Sequence, residues 1–110
     1  MTSGPAKPNL TGEYANWIVA VAQDRDRGAF ISLFNALAPQ VKGYLIRQGA
    51  TEQNADELTQ EAFLAVWREA DKYDPSRAAG SAWIYTIARN LLVYHFRREH
   101  HPDDGRIDVP

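Results

Sequence analysis

The sequence predicts an all-α fold, a compact bundle of three main helices plus a short helix at the N-terminal side. Apolar residues recur at i, i+3, i+4 and i+7 in four successive stretches, and no stretch alternates apolar and polar residues with the period of a strand. Gly, Pro and Asp gather between the stretches, where turns belong. With 110 residues, 45% of them hydrophobic, the chain suits one domain over residues 11–99 built around one core.

Each element has its own justification. Tyr14, Trp17, Ile18, Val21 and Ala22 make one buried helical face, with Thr11 placed to act as its N-cap. Asp26 then caps a second helix whose stripe is Phe30, Leu33, Phe34, Leu37, Val41, Tyr44 and Leu45. Pro39 lies within it. A proline removes one backbone donor and crowds the carbonyl four residues back, so a kink or break is expected near residues 37–39; the stripe continues in phase, which favours a kink. Gly49 closes the element, because glycine adopts a left-handed C′ conformation at little cost.

A third helix is expected from Thr51 to about Tyr73, burying Leu58, Ala62, Phe63, Val66, Trp67 and Ala70 and turning Asp56, Glu57, Gln60 and Glu61 outward. Asp74-Pro75 stops it, since a residue preceding proline is pushed from helical geometry. After a loop, Ser81 is expected to cap a fourth helix with the stripe Ile84, Ile87, Ala88 and Leu91, extended by Tyr94 or His95. The flanks read differently. Residues 1–10 hold too little apolar surface to pack and read as a disordered tail, and residues 100–110 read as the start of a linker.

Composition excludes several functions. The absence of cysteine removes disulfides, thiolate zinc sites and cysteine nucleophiles. No apolar run approaches the roughly 20 residues of a membrane span, so a soluble cytoplasmic protein with no membrane partner is expected. Ser76, Ser81 and Thr86 have no readable base, no phosphate-binding glycine loop is present, and His95, His100 and His101 lack spaced ligand partners. No catalytic residue, cofactor or metal is therefore expected, and the chain does not read as an enzyme.

Charge, by contrast, is unevenly placed. The net charge of −2 argues against holding nucleic acid by global attraction. Yet Glu52, Asp56, Glu57, Glu61, Glu69, Asp71 and Asp74 face only Arg68 and Lys72 in the third helix and its end, while Arg77, Arg89, Arg97 and Arg98 face only Glu99 in the segment that follows. Asp56, Glu57, Gln60 and Glu61 beside Leu64 are either a solvated face or a patch for a basic helix. In the fourth helix Trp83, Tyr85, Tyr94 and Phe96 interleave with Arg89, Asn90, Arg97 and Arg98, the mixture of stacking surfaces, cations and an amide that single-stranded nucleic acid requires. Aromatics at helical spacing are more often core, and Trp83 is expected there, with Tyr85, Asn90 and the arginines outward.

The segment N-A-D-E-L-T-Q-E-A-F-L-A-V-W, followed by A-W-I-Y-T-I-A-R-N and F-R-R, resembles region two of bacterial sigma factors of the extracytoplasmic-function (ECF) group over residues 30–98. The resemblance implies a subunit that binds core RNA polymerase and recognises and melts the promoter minus-ten element. It implies that Asp56, Glu57, Leu58, Gln60, Glu61 and Phe63 form or support the interface with the coiled coil of the β′ clamp. It further implies that Tyr73, Asp74, Ser76, Arg77, Gly80 and Ser81 belong to a loop that takes a flipped base of the non-template strand, beside Asn90 reading an adjacent base. Arg89, Arg97 and Arg98 would hold phosphates, with Tyr85 and Thr86 completing the DNA-facing set. An anti-sigma factor is an expected partner.

Departures from the family pattern are few. Asp56-Glu57 stands where Glu then Asp is more frequent, and His95 where aspartate is frequent. The minus-thirty-five helix-turn-helix domain is missing, so a fragment ending in the interdomain linker is expected. The alternative is a sigma-like mimic that binds an anti-sigma factor without touching DNA; it would have no need of Asn90, Arg97 and Arg98.

Overall fold

A computed structural model describes residues 10–100, and all the regular structure among them is helical. The elements are α1 (Leu10–Asp24), α2 (Arg27–Arg47), α3 (Glu52–Glu69), a 3-10 turn (Ala70–Lys72) and α4 (Gly80–His100). The expectations of a tail over residues 1–10 and a linker over residues 100–110 lie outside the described residues except at Leu10 and His100, which belong to α1 and α4.

The core is built by one stripe from each helix. Ile18 and Val21 of α1, Leu33, Leu37, Val41 and Leu45 of α2, Phe63 and Val66 of α3, and Ile84 of α4 are almost completely removed from solvent. Each such side chain contributes about 1.5–3 kcal/mol on burial, so these nine fix how the helices meet. Phe30 and Phe34 add edge-on ring contacts to Phe63, with centroids 6.3 and 5.1 Å apart.

Helix ends follow local chemistry. Asp26 caps α2 by accepting from the Ala29 amide at 3.0 Å, and the Thr51 hydroxyl caps α3 by accepting from Asn54 at 3.1 Å. Gly49, at φ 111°, closes α2 in a Schellman arrangement: its N–H donates to the Ile46 carbonyl at 2.9 Å, and that of Ala50 to the Leu45 carbonyl at 3.0 Å. The corner between α1 and α2 is tied to α3 by Arg25, left-handed at φ 49°, whose guanidinium donates to the Trp67 carbonyl and lies 5.2 Å over the Trp67 ring.

Three boundary expectations need correction. α1 begins at Leu10, which puts Thr11 inside the first turn rather than at the cap. α2, by contrast, runs through Pro39 without a break, as its in-phase stripe implied, because packing of Leu37, Ala38 and Val41 outweighs the missing donor. α3 ends at Glu69 and tightens into a 3-10 turn, so Tyr73 is the residue where the chain leaves helical geometry. α4 starts at Gly80, one residue before the expected cap Ser81, for a steric reason. A Cβ on Gly80 would lie 2.9 Å from the Ala15 nitrogen and 3.0 Å from the Tyr14 carbonyl carbon, so only glycine lets α4 begin against α1.

The stripe of α4 is also rotated from expectation: Ile84, Ala88 and Leu92 are buried, Ile87 and Leu91 are half-buried, and Tyr94 is exposed.

Candidate functional site

The loop between the 3-10 turn and α4 is braced from within. Asp74 Oδ1 accepts from the Ser76 hydroxyl at 2.7 Å and the Ser76 amide at 2.9 Å, and the Arg77 amide donates to the Asp74 carbonyl at 3.0 Å. With Pro75 second, these four residues make a β-turn started by an Asx turn. The Ser76 hydroxyl, then its amide, then the Arg77 charge hold the Asp74 carboxyl below its ordinary range. Tyr73 is buried beneath the loop and its hydroxyl donates to the Ala78 carbonyl at 2.8 Å; burial, then the Asp74 charge, push its pKa up.

This bracing leaves a concavity of about 370 Å³ lined by Lys72, Tyr73, Asp74, Arg77, Ala78 and Trp83. It falls in the size range of small-molecule sites and has room for one base. The Trp83 ring packs 5.2 Å from that of Tyr73 and forms one wall. Trp83 was expected in the core and is instead half-buried at this wall. The signal that could have found it is spacing: Trp83, Asn90 and Arg97 are seven residues apart, two helical turns each, and so lie on one line of α4. Asn90 and Arg97 are exposed on that line.

The remaining candidates divide. Arg89 and Thr86 are exposed, with the Thr86 hydroxyl donating back to the Ala82 carbonyl at 2.9 Å. Tyr85, expected outward, is half-buried on the flank facing α2, its ring edge-on to Tyr44 at 5.3 Å. Gly80 is buried against α1 and Ser81 is half-buried, so both sit behind the concavity and neither lines it. Arg98 leaves the Asn90 line: its guanidinium lies 5.6 Å over the Tyr94 ring, at a groove of about 380 Å³ that it shares with Leu58, Glu61, Leu91, His95 and Glu99.

On α3, Asp56, Glu57, Gln60 and Glu61 are exposed, while Leu58 and Phe63 are buried beneath them and support the face from inside. Ile31, Phe34 and Leu64, exposed at 56, 37 and 59%, give α2 and α3 apolar surface, and a groove of about 340 Å³ runs between the helices past Phe34, Pro39 and Gln60. Lys42 was not foreseen. Its ammonium lies 3.1 Å from Asp56 and 3.4 Å from Glu52, and hydrogen bonding to Asp56 above all raises its pKa. Only the fold brings it there, since it stands on another helix. Asp56 is thus partly answered within the chain, whereas Glu57 and Glu61 have no ion-pair partner among the described residues.

The family model for Sigma-70 region 2 matches residues 33–101. The chain is 38% identical over 91 residues to the ECF RNA polymerase sigma factor RpoE of Cereibacter sphaeroides, covering 80% of this chain and 50% of that protein. It is 34% identical over 92 residues to the ECF RNA polymerase sigma factor SigK of Mycolicibacterium vanbaalenii, covering 84% and 46%. The chain thus spans about half the length of these curated relatives. The crystal structure of Rhodobacter sphaeroides SigE in complex with the anti-sigma ChrR superposes with a TM-score of 0.76 at 38% identity, covering 78% of this chain and 52% of that one.

Proposed function

This chain belongs to the Sigma-70 region 2 family, within its ECF group of non-enzymatic transcription initiation factors, and from that premise we propose that it binds core RNA polymerase through α3 and a melted promoter minus-ten strand through α4 and the preceding loop. The observation that carries the DNA half is the line Trp83, Asn90, Arg97 running from a base-sized concavity along the exposed side of α4. A flipped non-template base stacks in the concavity against Trp83, Asn90 reads the edge of its neighbour, and Arg97 holds a phosphate. Unstacking costs a few kcal/mol, which a shaped site offsets, so recognition and melting are one event. Arg89 holds a second phosphate, and Arg77 and Lys72 at the rim supply the positive potential that draws the strand in.

The polymerase half rests on Glu57, Gln60 and Glu61 around the apolar centre Phe34 and Leu64. That is the arrangement of a docking face for a basic helix, such as the coiled coil of the β′ clamp, with apolar contact for affinity and acidic residues for steering. An anti-sigma factor is a further proposed partner, and the cytoplasm, where polymerase and promoter meet, the proposed location. Exposed Asn90 and Arg97 favour DNA binding over a mimic that engages only an anti-sigma factor.

Selection of single-stranded minus-ten libraries on the chain tests this reading. Asn90→Ala is expected to relax choice at one position, losing about 1–3 kcal/mol of discrimination, whereas Arg97→Ala weakens all sequences alike and lowers the salt slope by about 0.7. Equal losses on every sequence for both variants would overturn the assigned roles.

A further inference from the structure

The α2 flank of α4 carries an arginine that the sequence reading passed over. Arg47 stands in the last turn of α2, exposed, and among the described residues no carboxylate lies within 4.0 Å of it. Lys42, one turn and a residue earlier, has two acid partners. The contrast separates a cation used inside the fold from one left available.

Two contacts bracket the position of Arg47. Tyr44 meets Tyr85 of α4 with centroids 5.3 Å apart, and Gly49 lies against Phe96, whose Cζ would be 3.4 Å from a Cβ on that glycine. Arg47 falls between them in the chain, and its guanidinium folds back over Gly43, where a side chain would begin 3.3 Å from Nη1. Its charge reaches the Tyr85 hydroxyl, where it acts against the upward pull of burial. Arg89 follows Tyr85 by one turn of α4 and is equally without an acid partner. Two arginines on different helices therefore flank Tyr85, on the side of α4 away from the loop concavity. An exposed arginine without a counter-ion favours an anion, and its planar fork suits a phosphate in two-point geometry.

We infer that Arg47 is a phosphate-binding residue of the DNA interface, so that the bound strand crosses α4 from the loop concavity and leaves over the C-terminal end of α2. The inference rests on the reading of α4 as a DNA-binding face. It adds to that face a residue from a helix otherwise devoted to the core and to docking.

The test uses the whole chain and a fluorescent oligonucleotide carrying the selected minus-ten sequence, with affinity followed by anisotropy over a series of salt concentrations. Arg47→Ala is expected to weaken binding several-fold for every sequence and to lower the salt slope by about 0.7, one single-strand phosphate, with base preference and helical circular dichroism unchanged. Arg47→Lys restores most of the slope. Arg68→Ala, a control at the end of α3, changes neither. If Arg97→Ala weakens binding and Arg47→Ala keeps the wild-type slope, the inference fails alone, as it also does if Arg47→Ala impairs binding of an acidic protein partner and leaves DNA untouched. If the wild-type chain does not bind the strand, the reading of α4 fails and this inference falls with it.

Discussion

Gly80 decides how close the DNA-facing helix comes to the rest of the bundle. Because a Cβ there would lie within 3.0 Å of two backbone atoms of α1, Gly80→Ala forces α1 and α4 apart, and neither backbone can swing aside as a flexible side chain would. The expected cost is about 1–3 kcal/mol, a fall in Tm of roughly 4–8 °C per kcal/mol for a domain of this size. Thermal unfolding at the wild-type midpoint would contradict the close approach. Among residues, the chemistry of exposed groups was legible and exact burial was not. Asn90, Arg97 and Glu61 read outward from periodicity alone, whereas Trp83, expected in the core, and Tyr85, expected outward, are both half-buried, since such an aromatic takes its position from the neighbour it meets, here Tyr73 or Tyr44.

At the scale of elements, the loop over residues 73–79 is the least regular piece and the one that must hold a shape. Asp74 stabilises it as a carboxylate. Its folded pKa lies below the unfolded value of about 4, so that contribution is complete above the unfolded value and fades as pH falls through the lowered folded one. Ser76→Ala removes the hydroxyl donor, and the Asp74 carboxyl should then titrate at higher pH by NMR, with weaker binding of the minus-ten strand at neutral pH. An unchanged Asp74 titration would show that Ser76 does not brace the turn. Helix existence and order were readable because each stripe repeats over several turns; ends were less so. A cap reads correctly where its side chain does the capping, as at Asp26, and misleads where a tertiary contact sets the end, as at Gly80. Pro39 shows the same competition, with core packing on both sides carrying α2 through it.

Over the whole molecule, opposite charges are kept on separate helices, with one core holding both surfaces at a fixed angle. That division was visible in the linear order of acids and arginines, because the acids of one face lie along α3 and Arg89 and Arg97 of the other along α4. What crosses between helices was not visible: Lys42 answering Asp56, Arg47 beside Tyr85, and Arg98 turned to the groove with Glu61 depend on which elements pack together. Lys42 also changes which acids test the docking face. Asp56 is already paired, so Glu57 and Glu61 are the residues to reverse. The most direct measurement therefore titrates the Glu57→Lys, Glu61→Lys double variant with the β′ clamp coiled coil and, in parallel, with the minus-ten strand. Clamp binding should be lost while DNA binding and helical content persist. Surviving clamp binding, or loss of both partners from a folded protein, would contradict the separation of the two faces.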